Sequence, residues 1–375
     1  MRADRRLRVG IRCDAGPTTG VGHLMRCVAL AEEMVARGHE ALFLADLGGV
    51  AFAERQLGCR GLRRVGAPQD PEAMLRAVGR HRLDAVVLDS YVLPPEVSAA
   101  LVAERVPVLA VIDGPPRGQS AQLYLDQNIG AERDDVPLPG GARRLAGTSY
   151  ALLRDAVRSL RPAQPWQPTG RPPQVVVAFG GTDAYGVTEA AVTAMVGSGL
   201  PFSATVVAPD PDVRTRLGHA AGKGQVVRAV PPLDDFPRLL AAADLVVGAA
   251  GTSAWEYSVL GRPAAVVAVV DNQHDSYGRL VGLGAVLGLG RLQELRGDPV
   301  RAQDRLGAAL GDEQARAGAA QAAYALVDGD GRVRVVDALE DLVRGSTVTA
   351  GRTGRAGLGG PGQPEGPVGQ AGEDG

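Results

Sequence analysis

The feature that most constrains the fold is a series of short, continuous apolar runs separated by segments with helical periodicity. In the first half of the chain these runs are LRVGIRCD (7–14), EALFLAD (40–46), LDAVVLDSY (83–91) and VPVLAVIDG (106–114). Because most lack polar alternation, they are typical of strands that are covered on both faces. Between the first two runs, the segment from Leu24 to Arg37 carries one apolar stripe and ends before Gly38, which predicts a helix. Strands that alternate with helices predict a doubly wound α/β domain.

The same pattern restarts after a proline-rich segment. Five prolines lie between Pro162 and Pro173, and VVVAFGG (175–181), FSATVVAP (202–209), DLVVGAAG (244–251) and PAAVVAVV (263–270) follow. We therefore predict two Rossmann-like domains, at 1–160 and 174–345, joined by a linker at 161–173 and facing each other across a cleft. The segment 346–375 is rich in Gly and Pro, which predicts disorder.

Composition narrows the classes of function. The chain has 375 residues, a formal net charge of −2 and 45% apolar residues, so it can form two cores, and nothing in its charge predicts nucleic-acid binding. No apolar run reaches the ~20 residues of a membrane span, and the apolar part of the basic N-terminal segment is too short for the h-region of a signal peptide. We expect a cytoplasmic protein. The three cysteines have no CxxC spacing, and the histidines have no spacing typical of metal ligands. We expect neither a metal site nor a cofactor.

One candidate site lies in the segment DAGPTTGVGHLMR (14–26), which follows a strand and opens a helix. Ligands of such domains bind outside the carboxyl ends of the strands. Gly20 and Gly22 allow the backbone to approach a ligand closely. His23 would stand at the helix N-terminus, whose positive end disfavours the imidazolium form, so the neutral ring could accept a proton from water. The alternative is that His23 only fills a turn.

Three further side chains end neighbouring strands of the first domain. Asp14 ends the first strand, and Asp89 and Tyr91 end another. Either carboxylate could orient His23, and Tyr91 could hydrogen-bond a substrate or a water molecule. The alternative for Asp89 is that it caps the following loop.

The second domain offers two loops suited to phosphate groups. In one, the amides of Gly180 and Gly181 and the hydroxyl of Thr182 could contact phosphate oxygens. In the other, a helix opens at Gly251, Thr252 and Ser253, and Glu256 follows one turn later, where a ribose diol is a better partner than a phosphate. Each loop alone could be a routine strand-to-helix turn. Together they indicate a nucleoside diphosphate, whereas the absence of GxxxxGK[ST] speaks against triphosphate hydrolysis.

Five blocks together resemble the PseG family, the UDP-sugar hydrolases of pseudaminic acid biosynthesis, which are grouped with the spore coat polysaccharide proteins SpsG. The blocks are RCDAGPTTGVGHLMRCVALAEEM, VVLDSY, LAGTSYALLRDAVR, VVVAFGGTDA and ADLVVGAAGTSAWEYSVLGRPAAVVAVVDNQ. The resemblance spans about residues 8–343 and implies the GT-B fold, with a second domain similar to that of the glycosyltransferase MurG.

The resemblance also implies an activity and roles for residues. It implies release of UDP from UDP-2,4-diacetamido-2,4,6-trideoxy-β-L-altropyranose by water attack at the anomeric carbon, with inversion and without metal. His23 then matches the catalytic base, Tyr91 the family tyrosine, and Glu256 the glutamate expected on the ribose. Asn272 and Gln273 match a pair near the sugar or the phosphates.

Two other functions remain open from the sequence. The same residues would serve a glycosyltransferase that passes the sugar to an acceptor other than water. A UDP-sugar-binding protein without turnover is the third possibility. The sequence names neither the sugar nor a protein partner.

Overall fold

The computed structural model describes residues 5–16 and 20–353, and it describes side chains as far as Ser346. The first domain contains a seven-stranded sheet in the order β3-β2-β1-β4-β5-β6-β7, in which every neighbouring pair is parallel. Its strands are β1 (Arg8–Cys13), β2 (Glu40–Leu44), β3 (Arg63–Val65), β4 (Ala85–Asp89), β5 (Val108–Val111), β6 (Leu123–Asp126) and β7 (Arg143–Ala146). Its helices are α1 (Gly22–Ala36), α2 (Ala51–Gly58), α3 (Pro71–His81) and α4 (Pro95–Ala103). The next helix, α5 (Asp155–Arg158), packs on the second domain, whose core contains Val157, so the predicted end of the first domain at residue 160 is corrected to a point before α5.

The second domain repeats this architecture with a six-stranded parallel sheet in the order β10-β9-β8-β11-β12-β13. Its strands are β8 (Gln174–Ala178), β9 (Phe202–Val207), β10 (Gln225–Val230), β11 (Leu245–Ala249), β12 (Ala264–Ala268) and β13 (Leu287–Arg291). Its helices are α6 (Val187–Gly197), α7 (Pro211–Leu217), α8 (Phe236–Ala241), α9 (Ser253–Val259), α10 (His274–Gly282), α11 (Leu292–Gly297), α12 (Pro299–Gly311) and α13 (Glu313–Leu326).

The predicted pair of doubly wound domains is confirmed. In both sheets the strand order reverses beside the first strand of the domain, between β1 and β4 and between β8 and β11. Such switch points create a crevice at the carboxyl ends of the strands. The strands β3, β6, β7 and β13 were not predicted. Strands β3, β6 and β7 have only three or four residues, β3 and β7 begin with two arginines, and two of the five residues of β13 are glycines.

The last helix does not belong to the domain in which the sequence placed it. Helix α14 (Gly331–Thr353) packs on α1 and β6, and Val335, Leu339 and Val343 are buried in the core of the first domain. The range 174–345 is therefore corrected: from residue 331 the chain has returned to the first domain. Helix α14 also runs into the range for which we predict disorder, and 354–375 lie outside the described residues.

The linker is packed rather than extended between the domains. Trp166 is buried, and its Nε1–H donates a 2.8 Å hydrogen bond to Oδ1 of Asp244. The other oxygen of Asp244 accepts from the backbone N–H of Gln174, at the start of β8. This part of the linker therefore moves with the second domain.

The two domains meet at the loops that follow β1, β8 and β11. A Cβ atom built on Gly22 would lie 3.3 Å from Thr252 Oγ1, and one on Gly181 would lie 3.0 Å from Val21 Cγ2. Both glycines therefore stand where the opposite domain leaves almost no room for a side chain. The carboxyl edges of the two sheets face each other across a narrow cleft.

Candidate active site

His23 lies in the first turn of α1, at the edge of this cleft. The helix begins at Gly22 after Val21, which provides no side-chain cap. The His23 side chain is 18% exposed, and its Nδ1 lies 3.4 Å from Oδ1 of Asp89, a separation longer than an ordinary hydrogen bond. Its ring packs edge-on against Tyr91, with 4.6 Å between ring centroids. Because Nδ1 faces a buried carboxylate, Nε2 is the nitrogen available to a ligand.

Asp89 is held from behind by a buried arginine. Arg26 Nε and Nη2 each donate a 2.6 Å hydrogen bond to Asp89, one to each carboxylate oxygen. Two parallel bonds of this kind fix both the position and the plane of the carboxylate. Cys27 lies 3.5 Å from the same carboxylate, and burial raises the pKa of its thiol well above the ordinary value. The Asp89 carboxylate thus presents one edge to Arg26 and one oxygen to His23.

A second carboxylate, Asp113, completes the cluster. It follows β5 and accepts hydrogen bonds from the Tyr91 hydroxyl and from Asn128 Nδ2, and Arg26 Nη1 lies 3.3 Å from its Oδ1. Burial alone would raise the Asp113 pKa, but the Arg26 charge and these hydrogen bonds outweigh it and hold the pKa well below the usual range. Burial and the neighbouring Asp113 charge raise the Tyr91 pKa well above 10. Asp113 is therefore an anion and Tyr91 a neutral phenol at physiological pH.

The other predicted carboxylate, Asp14, points elsewhere. Its Oδ1 accepts a 2.7 Å hydrogen bond from Arg12 Nη1, and Arg12 is itself buried. In the described part of the chain no contact joins Asp14 to His23. Of the two carboxylates that could orient the histidine, the structure brings only Asp89 to it. Gly20, with φ of 74°, closes the glycine loop through a bridge to Gly16.

The glycine loop after β8 faces the first domain. Gly180 adopts φ of 78°, and a Cβ atom on Gly20 would lie 3.9 Å from Thr182 Oγ1. Asp183 accepts hydrogen bonds from the first N–H groups of α6, so that helix end is already capped. Within the described residues, the N–H groups of Gly180, Gly181 and Thr182 donate to no protein acceptor. They, and not the start of α6, are the donors that this loop offers to a ligand.

The loop after β11 offers a second set of donors. Gly251 and Thr252 precede α9, which begins at Ser253. The backbone N–H groups of these three residues likewise have no acceptor in the described structure. Gln273 packs beneath this loop: its Nε2 lies 3.1 Å from the position of a Cβ on Gly251, and its Oε1 accepts from Val269 N–H at 2.9 Å. Gln273 thus supports the loop.

Glu256 occupies the first turn of α9, as the sequence predicts, but it has a partner that the sequence did not indicate. Arg154, which precedes α5, donates a 2.7 Å hydrogen bond from Nη2 to Glu256 Oε1, and both side chains are largely buried. The pair leaves the second oxygen of Glu256 for another donor. Burial would lower the Arg154 pKa, but Glu256 outweighs it and raises the pKa.

Asn272 connects the two domains directly. It lies in a short 3-10 helix (Asp271–Gln273), and its Nδ2 donates a 3.2 Å hydrogen bond to the Tyr91 hydroxyl oxygen. Arg117 stacks on the face of the Tyr91 ring, with its guanidinium carbon 4.0 Å from the ring centroid. Tyr91 is therefore held on three sides, by Asp113, Asn272 and Arg117, at the mouth of the cleft beside His23.

Sequence reasoning missed four side chains of this cluster, although two carried a usable signal. Arg26 stands three residues after His23, which places the two on one face of a helix. Asp113 stands at the carboxyl end of a buried strand, and Asp89 was predicted as a site residue because it has the same kind of position. Asn128 and Arg117 come from irregular loops, where the pattern of the sequence gives no orientation.

No group of three or more His, Cys, Asp or Glu side chains in the described part of the chain is arranged to hold a metal ion. Among the helices described, none is both long and apolar enough to cross a membrane.

Comparison with known proteins gives distant relatives. No family model matches this chain. It is 26% identical over 349 residues to the spore coat polysaccharide biosynthesis protein SpsG of Bacillus subtilis strain 168, which covers 90% of this chain and 98% of the relative. It is 25% identical over 349 residues to the UDP-N-acetylglucosamine--N-acetylmuramyl-(pentapeptide) pyrophosphoryl-undecaprenol N-acetylglucosamine transferase of Acidiphilium cryptum strain JF-5, covering 84% of this chain and 92% of the relative.

Solved structures share the whole two-domain architecture. MurG of Acinetobacter baumannii superposes with a TM-score of 0.64 at 18% identity, over 89% of this chain and 99% of MurG. The UDP co-structure of MnaA from S. aureus superposes with a TM-score of 0.61 at 11% identity, over 90% of this chain and 97% of MnaA. The chain therefore has the GT-B fold, as the resemblance in sequence predicts.

Proposed function

We propose that this protein is a GT-B enzyme that binds a UDP-sugar between its domains and transfers the sugar, with inversion, to an acceptor hydroxyl group. One observation carries the proposal. His23, which faces Asp89, directly follows Gly22, where an added Cβ atom would lie only 3.3 Å from Thr252 Oγ1 of the opposite domain. A base on one wall and unpaired N–H groups on the other form the arrangement that inverting displacement needs.

The proposed mechanism follows from the positions of these groups. His23 Nδ1–H points toward Asp89, so that the lone pair of Nε2 can accept the proton of the acceptor hydroxyl as its oxygen attacks the anomeric carbon. The bond from that carbon to the diphosphate breaks, and UDP leaves with the electron pair. The N–H groups of Gly180–Thr182 and Gly251–Ser253 would stabilise the negative charge that develops on the diphosphate. The proton on His23 then passes to solvent.

The rest of the nucleotide has candidate partners in the second domain. The oxygen of Glu256 that Arg154 leaves free is suited to a ribose hydroxyl donor. Asn272 lies between the phosphate loops and Tyr91, where a sugar would sit. The distant relatives support this assignment: one is named as a UDP-N-acetylglucosamine-dependent transferase and the other as a polysaccharide biosynthesis protein, so we propose a role in surface polysaccharide synthesis.

Hydrolysis is the second candidate, with water as the acceptor. The observation that favours it is the contact between Tyr91 and Asn272, which joins the domains beside His23 and narrows the approach to the base. A small acceptor passes such an opening more easily than a saccharide. The PseG-like sequence blocks support the same reaction and a UDP-linked diacetamido sugar of pseudaminic acid synthesis as its substrate.

The test measures UDP release from a panel of UDP-sugars, with and without saccharide acceptors, while NMR follows the anomeric configuration of the product. We expect UDP release that depends on an acceptor, with an inverted product. Release at the same rate without acceptor would assign the hydrolase instead. A protein that binds UDP but releases none from any donor would refute both reactions.

Substitution of the base supplies the matching control. His23→Gln should lower kcat by about 10²–10⁴-fold, the usual contribution of a general base, and leave UDP affinity in calorimetry nearly unchanged. His219→Gln changes an exposed histidine after α7, remote from the cleft loops, and should keep wild-type turnover. Turnover by His23→Gln at the rate of His219→Gln would refute the role of His23.

A further inference from the structure

Arg26 has no part in the reaction proposed above, yet its position demands an explanation. It is 3% exposed, in the interior between α1 and the carboxyl ends of β4 and β5. Burying a guanidinium group is costly unless its charge is compensated and its N–H groups are bonded. Because Arg26 is buried one helical turn from His23, we expect it to act on the site as well as to fill space in the core.

The contacts of Arg26 connect the two residues that line the cleft. Its fork binds both oxygens of Asp89, which faces His23, and its Nη atoms also reach Asp113, which binds the Tyr91 hydroxyl. The guanidinium group of Arg26 therefore lies between two carboxylates. Each of them contacts one side chain of the cleft, either His23 or Tyr91. Among the described residues, Arg26 is the only arginine or lysine in contact with Asp89 or Asp113.

We infer that Arg26 is a positioning residue that compensates the charge of Asp89 and orients its carboxylate, so that His23 holds its proton on Nδ1 and leaves Nε2 free to act as the base. This inference rests on the proposed function for its consequence in catalysis. Its structural content, the position of the His23 proton, does not depend on which sugar or acceptor the protein uses.

Loss of the Arg26 cation would change the protonation of His23. Without Arg26, two carboxylates remain close together in a buried place, where like charges cannot both persist. If Asp89 takes up a proton, it donates to His23 Nδ1 and the ring must carry its own proton on Nε2. If Asp89 stays charged, its charge is no longer compensated by the guanidinium, and it then stabilises the doubly protonated imidazolium of His23. Both outcomes place a proton on Nε2 and abolish the base.

The geometry also explains why arginine occupies this position. An ammonium group is a point charge, whereas the planar guanidinium offers parallel donors to one carboxylate and further donors to another. Lysine would keep a positive charge near Asp89 and Asp113 but would lose the paired bonds that fix the carboxylate plane. We therefore expect lysine to preserve the protonation state of His23 and to lose part of the orientation.

The test reads the proton directly, by 15N NMR of histidine-labelled full-length protein at neutral pH, with the His23 signals assigned through His23→Gln. In the wild type we expect an unprotonated Nε2. In Arg26→Met we expect a protonated Nε2 and a fall in kcat of at least about 100-fold with little change in KM. In Arg26→Lys we expect an unprotonated Nε2 and a kcat reduced about tenfold, the loss of roughly one hydrogen bond.

A matched control separates positioning from the general cost of removing a buried arginine. Arg332 is also 3% exposed and pairs with Glu32 and Glu33, at the other end of α1. Arg332→Met should lower the melting temperature and leave the His23 signals and kcat as in the wild type.

The outcomes distinguish the inference from the proposed function. An unprotonated Nε2 and wild-type kcat in Arg26→Met would overturn the inference, as would equal changes in Arg26→Met and Arg332→Met. If Arg26→Met does not fold, wild-type kcat in Arg26→Lys overturns it. If no variant, nor the wild type, releases UDP while Nε2 responds as expected, the inference stands and the proposed function fails.

Discussion

Gly331, at the start of α14, provides the sharpest test of how the chain returns to the first domain. A Cβ atom added there would lie 2.5 Å from the backbone nitrogen of Ala151 and from the carbonyl carbon of Tyr150, and closer still to the Ala151 oxygen. Real Cβ atoms almost never approach backbone so closely, and backbone cannot rotate away as a side chain would. Gly331→Ala must therefore displace the start of α14 or the segment at 150–151.

The size of the effect follows from the cost of overpacking. Insertion of one methyl group into a close-packed site costs about 1–3 kcal/mol, and rigid backbone neighbours place this site near 3 kcal/mol. For a domain of this size, that loss lowers the melting temperature by roughly 6–12 °C. The displacement also threatens Arg332, the next residue, whose buried contacts with Glu32 and Glu33 join α14 to α1.

The assay is thermal unfolding followed by circular dichroism, with Gly318→Ala as the matched control. Gly318 lies inside α13 and a Cβ there meets no atom within 4 Å. Alanine is the better helix former by about 1 kcal/mol, so this variant should be more stable than the wild type. If Gly331→Ala unfolds at or above the wild-type temperature, the described contact between α14 and the segment at 150–151 is wrong.

Two further changes test the charged groups. Asp89→Asn removes one of the two carboxylates that contact Arg26. It should lower the free energy of unfolding by about 3 kcal/mol, at the lower end for a broken buried ion pair because Asp113 remains, and it should reduce kcat at least about 100-fold. A wild-type stability in calorimetry together with wild-type UDP release would contradict this. The hydrogen bond from Arg334 lowers the pKa of Asp328 in the folded state. The ionised Asp328 therefore contributes its full stability to the folded protein above the unfolded pKa of about 4, and this contribution is lost as the pH falls through the lower, folded-state pKa. The melting temperatures of the wild type and Asp328→Asn should therefore differ at pH 6 and converge as the pH approaches 2, and a difference that persists at pH 2 would refute the assignment.

The fold was predictable because its signal is local and repeated. Continuous apolar runs such as the one before Asp89 identify covered parallel strands, and Gly22 and His23 open a helix that the following apolar stripe predicts. These signals need only a few neighbouring residues. The second domain repeated them with different residues, so its sheet could be predicted in the same way.

The site was predictable in part, for the same reason. Residues that end a predicted strand, such as Asp89, or that open a predicted helix, such as His23, could be placed at the cleft. Which carboxylate faces His23 could not be decided, since Asp14 and Asp89 follow neighbouring strands equally well. Pairing with Arg12 takes Asp14 away from the histidine, and that choice depends on side-chain directions.

The sequence by itself determined two doubly wound domains, a glycine loop that brings His23 to a helix start, and two glycine loops on the opposite domain. Only the tertiary structure decided that α14 returns to the first domain, that Glu256 pairs with Arg154, and that Arg26 joins Asp89 to Asp113. The physical reason is the range of the interactions. Strand and helix patterns follow from hydrophobic periodicity over a few residues, whereas the pairing of buried charges depends on groups that the chain brings together from far apart in sequence.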